Sequence, residues 1–143
     1  MDFAQIIEFT GNHPFLILAF VGTLAALIYS EISRRLSGML TVGAIEATQL
    51  SNRENAVFLD IREDKEYQGG HLPEAIHIPL SQLSGRVSEL GKYKDNPVIA
   101  YCRSGNRSNA AGGVLKKNGF QSVYNLGGGI VAWEKANLPV STK

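Results

Sequence analysis

Hydrophobic positions along the chain follow two regimes. From Pro14 to Ser30 the residues "PFLILAFVGTLAALIYS" are almost wholly apolar, and no formally charged side chain lies between Glu8 and Glu31. A run without a polar stripe predicts a helix that is apolar on every side. From about Ser37 onward, short apolar runs alternate with amphipathic stretches. "MLTV", "AVFLDI", "AIHIPL", "PVIAYC" and "SVYNL" predict strands, and "GAIEATQLSN", "SQLSGRVSELGKY", "SNAAGGVLKKNGF" and "GIVAWEKA" predict helices. Leu83, Val87 and Leu90 recur at helical spacing in the second of these helices. This alternation predicts an α/β fold, a mainly parallel sheet with helices on both faces. Ligands in such folds gather beyond the carboxyl ends of the strands.

The apolar run is long enough to matter by itself. The stretch 14–30 would span about 25 Å as a helix, within reach of a hydrocarbon core of about 30 Å when flanking residues help. Tyr29 at one end, and Asn12 with His13 at the other, suit a water interface. A cleavable signal peptide wants a positive leading segment, whereas the residues before this run carry Asp2 and Glu8 and neither Lys nor Arg. A core helix is the other alternative, but a run this long and apolar on every side lacks the polar stripe of a helix packed at a protein's surface. The expected organisation is an N-terminal segment with one transmembrane helix in residues 1–30 (span about 14–30), a linker in 31–40 and a second domain in 41–143. Arg34 and Arg35 follow the span, so the positive-inside rule places the N-terminus outside and the remainder in the cytoplasm, on a cell (inner) membrane. Phe3, Ile6, Ile7 and Phe9 are spaced for one helical face that would lie on the outer membrane surface.

Composition narrows the function. The chain has 143 residues, 44% hydrophobic and 19% charged, with 14 Lys and Arg against 13 Asp and Glu. A net charge of +1 gives no reason to expect a nucleic-acid partner. One cysteine cannot form an internal disulfide or a cysteine-based structural metal site.

That cysteine, Cys102, closes the predicted strand "PVIAYC", and a helix is expected to begin near Ser108 as N-cap. Between them Arg103, Ser104, Gly105, Asn106 and Arg107 form a tight turn. Gly105 and Asn106 tolerate the left-handed backbone angles that aim N–H groups inward. Inward amides, the positive end of a helix and two arginines make an anion cradle. Such a cradle favours the thiolate and makes Cys102 a nucleophile with no partner histidine. Ala110, Ala111, Gly112 and Gly113 are small enough for close packing on the sheet, and Gly119 suits the helix's C-terminal cap.

The segment from about Thr41 to Leu138 resembles a single-domain rhodanese. The resemblance rests on "FLDIREDKEY" with Asp60 and Arg62, on "GHLPEAIHIPL", on the loop Cys102 to Arg107, and on "NLGGGIVAW". It implies a thiosulfate:cyanide sulfurtransferase-like enzyme in which Cys102 carries sulfane sulfur as a persulfide. By the same resemblance, Arg103 and Arg107 bind the anionic donor. The loop amides, among them those of Gly105 and Asn106, and the hydroxyls of Ser104 and Ser108 hold the persulfide. Asp60 and Arg62 brace the loop, and no metal or organic cofactor is required. His71, His77, Trp133 and Gly127 to Gly129 read as structural. The expected partners are a small anionic donor such as thiosulfate, a thiol or cyanide acceptor, the membrane through the N-terminal helix, and a membrane protein.

Two rival functions follow from the same residues. A cysteine loop ending in arginine is similar to that of protein tyrosine phosphatases, but four residues separate Cys102 from Arg107 where those enzymes have five. The tighter cradle suits a sulfur atom better than a phosphate. Alternatively, a membrane-tethered rhodanese-like adaptor or sulfur carrier would act within a complex, as the layout of one span plus one cytoplasmic domain also resembles.

Overall fold

A computed structural model describes residues 12–36 and 39–142, the side chains of 33–36 excepted. The amphipathic pattern at Phe3 to Phe9 lies outside the described residues. The chain divides into two compact units, 1–36 and 37–143.

In the first unit, helix α1 runs Pro14–Leu36 over 23 residues, about 34 Å at the α-helical rise. Pro14 occupies the first helical position, where its missing N–H leaves no bond unmade. The stretch Pro14–Ile32 is long and apolar enough to cross a membrane. Its side chains stand exposed, Phe15 at 85% and Tyr29 at 74%.

The second unit contains β1 (Leu40–Val42), α2 (Ala44–Glu54), β2 (Val57–Asp60), α3 (Asp64–Gln68), β3 (Ile76–His77) and α4 (Leu80–Arg86). A 3-10 segment (Val87–Tyr93) follows, then β4 (Val98–Tyr101), α5 (Asn106–Lys117), β5 (Val123–Leu126) and α6 (Gly129–Lys135). These five strands pair in parallel, in the order β1-β5-β4-β2-β3. Side chains of β4 alternate between two cores. Val98, Ala100 and Cys102 face a cluster with Leu83, Leu90, Ala111 and Leu115, from α4, the 3-10 segment and α5. Ile99 and Tyr101 face Ala44, Ala47, Ile130 and Trp133, from α2 and α6. Helices therefore cover both faces, as the alternation of apolar runs predicts. Trp133 fixes the second layer: its ring meets Phe58 edge-on with centroids 5.3 Å apart, and its indole N–H donates to the Pro139 carbonyl at 2.8 Å.

Several boundaries differ from the sequence reading. The stretch "AIHIPL" forms only a two-residue strand, and "SQLSGRVSELGKY" tightens from α-helix to 3-10 helix at Val87. The five-residue α3 is too short to leave a periodic signal. Helix α5 begins at Asn106, its N-cap being Gly105 at φ 92 and not Ser108. Of the four small residues in α5, only two serve close packing. Ala111 is buried, and Gly112 leaves the space that the Met39 side chain fills, while Ala110 is exposed and a Cβ on Gly113 would meet nothing. Gly119 follows the helix end with φ 88, as a residue that must turn left-handed.

Chain direction sets the place of the site. From β2 the chain moves out to β3, and from β4 it moves the opposite way to β5, so a crevice opens at the carboxyl ends of two adjacent strands.

Candidate active site

Cys102 lies one residue past β4, at that crevice, with 1% of its surface exposed. Gly105 turns the loop back on itself, and its N–H donates to Cys102 Sγ at 3.1 Å. The Ser108 hydroxyl is 3.7 Å from the same sulfur. Burial alone would push the thiol's pKa up. The backbone and hydroxyl of Ser108 and the amides of Ser104 and Gly105 outweigh that, so the pKa lies below the usual cysteine value. Each of these donors favours the charged form, and no histidine takes part.

Glycines allow the rest of the loop to close. A Cβ on Gly105 would stand 3.1 Å from the Leu126 carbonyl oxygen, on top of a backbone angle foreign to L side chains. At Gly129, φ 57, a Cβ would collide with the carbonyl oxygen of Cys102. That close approach lets α6 grip the loop through its first amides. Ile130 N–H donates to the Cys102 carbonyl at 2.9 Å and Val131 N–H to the Arg103 carbonyl at 3.3 Å.

Asp60 and Arg62 flank the loop from β2, whose register sets Asp60 against Tyr101. The two form a buried ion pair at 2.6 Å, and Arg62 also donates to the Gly70 carbonyl at 2.7 Å. Tyr101 accepts the Leu72 N–H at 3.1 Å. Burial, and then the charge of Asp60, hold its phenol protonated far above the ordinary range. This network ties the end of β4 to the segment 60–72.

The two loop arginines part company. Arg107 forms a two-pronged ion pair with Glu66, at 2.8 and 2.7 Å. Its bond to Glu66, reinforced by the nearby Cys102, raises the guanidinium's pKa, and the Glu66 carboxyl falls to about 2. Arg103 is exposed and lines a cleft of about 300 Å3 with Lys65, Glu66, Gly70, Val131 and Glu134. Asn106 is exposed as the first residue of α5. The structure therefore brings the amides of Ser104 and Gly105 and the hydroxyl of Ser108 to the Cys102 sulfur, puts Arg103 at the rim, and leaves Ser104, whose amide alone serves the site, and Asn106 exposed.

Glu66 and Asn125 carry parts of the site that sequence reading assigns to nobody. Both stand inside stretches that resemble rhodanese motifs, but their partners lie 41 and 17 residues away. His71 and His77 share one neighbour: each stacks on Tyr67, with ring centroids 3.9 and 4.2 Å apart.

A family model described as the rhodanese-like domain matches residues 44–136. The chain belongs to the rhodanese-like family. Among its relatives, the protein YibN of Escherichia coli K12 is 34% identical over 137 residues, covering 95% of this chain and 96% of YibN. A protein named sulfurtransferase from Allochromatium vinosum is 39% identical over 103 residues, 69% of this chain and 94% of that one. The crystal structure of thiosulfate sulfurtransferase from Pseudomonas aeruginosa superimposes with a TM-score of 0.68 at 28% identity. That match covers 79% of this chain and 22% of the Pseudomonas protein. The rhodanese-like domain here thus has sulfurtransferases among its homologues, and its parallel sheet is theirs.

Proposed function

We propose that this protein is a membrane-tethered sulfurtransferase that carries sulfane sulfur on Cys102. The observation behind this reading is the sulfur of Cys102 itself, buried at the crevice with an amide of the loop aimed at it from 3.1 Å. Such a group is poised to be an anionic nucleophile and to hold a second sulfur as an anion.

The thiolate attacks the outer sulfur of thiosulfate or a related donor. A bond forms between Cys102 Sγ and that sulfur, the donor's S–S bond breaks, and its electron pair leaves with sulfite. The terminal sulfur of the resulting persulfide bears the negative charge, which the loop amides and the Ser108 hydroxyl hold. Cyanide or a thiolate then attacks that sulfur, the Cys102–sulfur bond breaks, and the cysteine thiolate returns. Arg103, exposed on the rim, meets the anionic donor. Arg107, tied to Glu66, shapes the loop.

Helix α1 supplies the tether. With Arg34 and Arg35 after the span, the N-terminus lies outside and the rhodanese-like domain faces the cytoplasm. A partner at the membrane, such as a membrane protein, would meet the domain there.

The test is the mass of the full chain in detergent before and after thiosulfate. A gain of one sulfur that cyanide removes as thiocyanate, absent in Cys102→Ser, is the expected result. A folded protein that gains no sulfur from thiosulfate or from a persulfide would overturn the reading in favour of a docking role.

A further inference from the structure

The rim of the site has a charge balance that a thiosulfate-binding pocket does not need. Thiosulfate carries two negative charges at neutral pH, and the loop offers two arginines that could match them. One of the two is already matched: Glu66 holds Arg107 in the bidentate geometry that carboxylate and guanidinium favour. This carboxylate also lines the cleft beside Arg103. Of the charged residues that line the cleft, Arg62 is paired with Asp60 and Glu66 with Arg107. Lys65 and Arg103 remain against Glu134, a surplus of one positive charge.

Resting on the sulfurtransferase reading above, we propose that Glu66 determines which donors the site takes. By cancelling Arg107 it leaves room for one negative charge, and so selects singly charged organic donors, persulfides and thiosulfonates, over dianionic thiosulfate. Glu66 touches the arginine and not the sulfur, and it acts on the donor by its charge. The carboxylate is 32% exposed and the guanidinium 41%, so the pair stands at the mouth where a donor passes, not in the core. A second anion approaching Arg107 must compete with a carboxylate already seated there, and it meets the repulsion of Glu66 and Glu134 together.

The chemistry is the same for all these donors. The outer sulfur moves to Cys102, the donor's S–S bond breaks, and the electron pair leaves with sulfite from thiosulfate, with a sulfinate from a thiosulfonate or with a thiolate from a persulfide.

Charge is separated from reactivity by comparing thiosulfate with benzenethiosulfonate, which bears one negative charge, using the full chain in detergent and cyanide as acceptor. Glu66→Gln keeps the shape and a hydrogen bond to Arg107 while removing the charge. The expected result is a rise in kcat/KM for thiosulfate of roughly tenfold, the effect of one charge at a partly screened rim, with benzenethiosulfonate changed by less than about threefold. Added salt should lower the thiosulfate rate of Glu66→Gln more steeply than that of the wild type. An unchanged ratio between the donors in a folded Glu66→Gln protein would overturn the proposal. If that variant does not fold, the wild-type ratio decides, each donor normalised to its rate with free cysteine: preference for benzenethiosulfonate supports the inference, and preference for thiosulfate overturns it. A wild-type protein that transfers sulfur from neither donor, with no mass gain at Cys102, removes the sulfurtransferase reading and the donor selection with it.

Discussion

Ser108 Oγ stands 2.5 Å from Asn125 Oδ1, 3.1 Å from the Gly105 carbonyl oxygen and 3.7 Å from Cys102 Sγ, and it has one proton to give. A hydroxyl satisfies one acceptor at a time. An ionised sulfur competes better than a neutral amide, because charge-assisted bonds are the stronger ones. The thiolate therefore draws the proton when it forms, and Asn125 holds the hydroxyl in range in the meantime. Removing this donor removes support from the charged form, so the cysteine's pKa moves up. For Ser108→Ala the rate of Cys102 alkylation by iodoacetamide at pH 7 should fall by roughly 3- to 10-fold. Its pH profile should shift to higher pH. Superimposable profiles for the two proteins would show that the Ser108 hydroxyl does not support the thiolate.

At the scale of elements, the loop after Cys102 is suspended between two helices. Helix α5 begins inside it, and the first amides of α6 hold its carbonyls from behind. Gly129 is the point of contact. Its φ of 57 and the absence of a Cβ both serve that approach, so Gly129→Ala meets strain twice. A loss of roughly 2–4 kcal/mol in urea unfolding is expected. Sulfur loading should suffer even where the protein remains folded, since the displaced atom is Cys102's own carbonyl. A variant with wild-type stability and loading would show that the loop tolerates the shift.

Local features of this kind are readable along the chain. A strand end, a cysteine, Gly105 and a helix start within seven residues leave few alternatives for the backbone between them, and the cradle follows. A serine before a helix is a common cap and points to a boundary at Ser108, whereas here a left-handed Gly105 starts the helix earlier and frees the serine's hydroxyl for the site. The Glu66–Arg107 pair was out of reach for a different reason. Glu66 lies on a five-residue helix between β2 and β3, and only the sheet order brings it over the loop that follows β4. Charge pairing across 41 residues is a property of the folded topology. Arg103 and Arg107 look equivalent along the chain, and only the folded structure separates them.

For the whole molecule, the proposed tether makes its own prediction. The full chain should stay in the membrane fraction through alkaline carbonate extraction. Protease added to intact spheroplasts should leave the rhodanese-like domain whole and digest it only after lysis. Ala25→Arg puts a charge in the middle of the span, at a cost of about 2.5–3.5 kcal/mol, and should move protein into the soluble fraction. Release of the wild-type chain by carbonate would argue against a spanning helix, and digestion in intact spheroplasts would reverse the orientation.

Strand β1 pairs with β5 alone, Leu40 against Tyr124, at the edge of a sheet whose centre is β4. During synthesis, β1 leaves the ribosome before any other strand of the domain and waits for the last one. Residues 43–122 must emerge before its backbone groups find their neighbours. Long-range parallel pairing of this kind closes slowly. By then an N-terminal anchor would already be in the bilayer, so the nascent domain would complete its fold at the membrane surface, with its first strand the last to be joined.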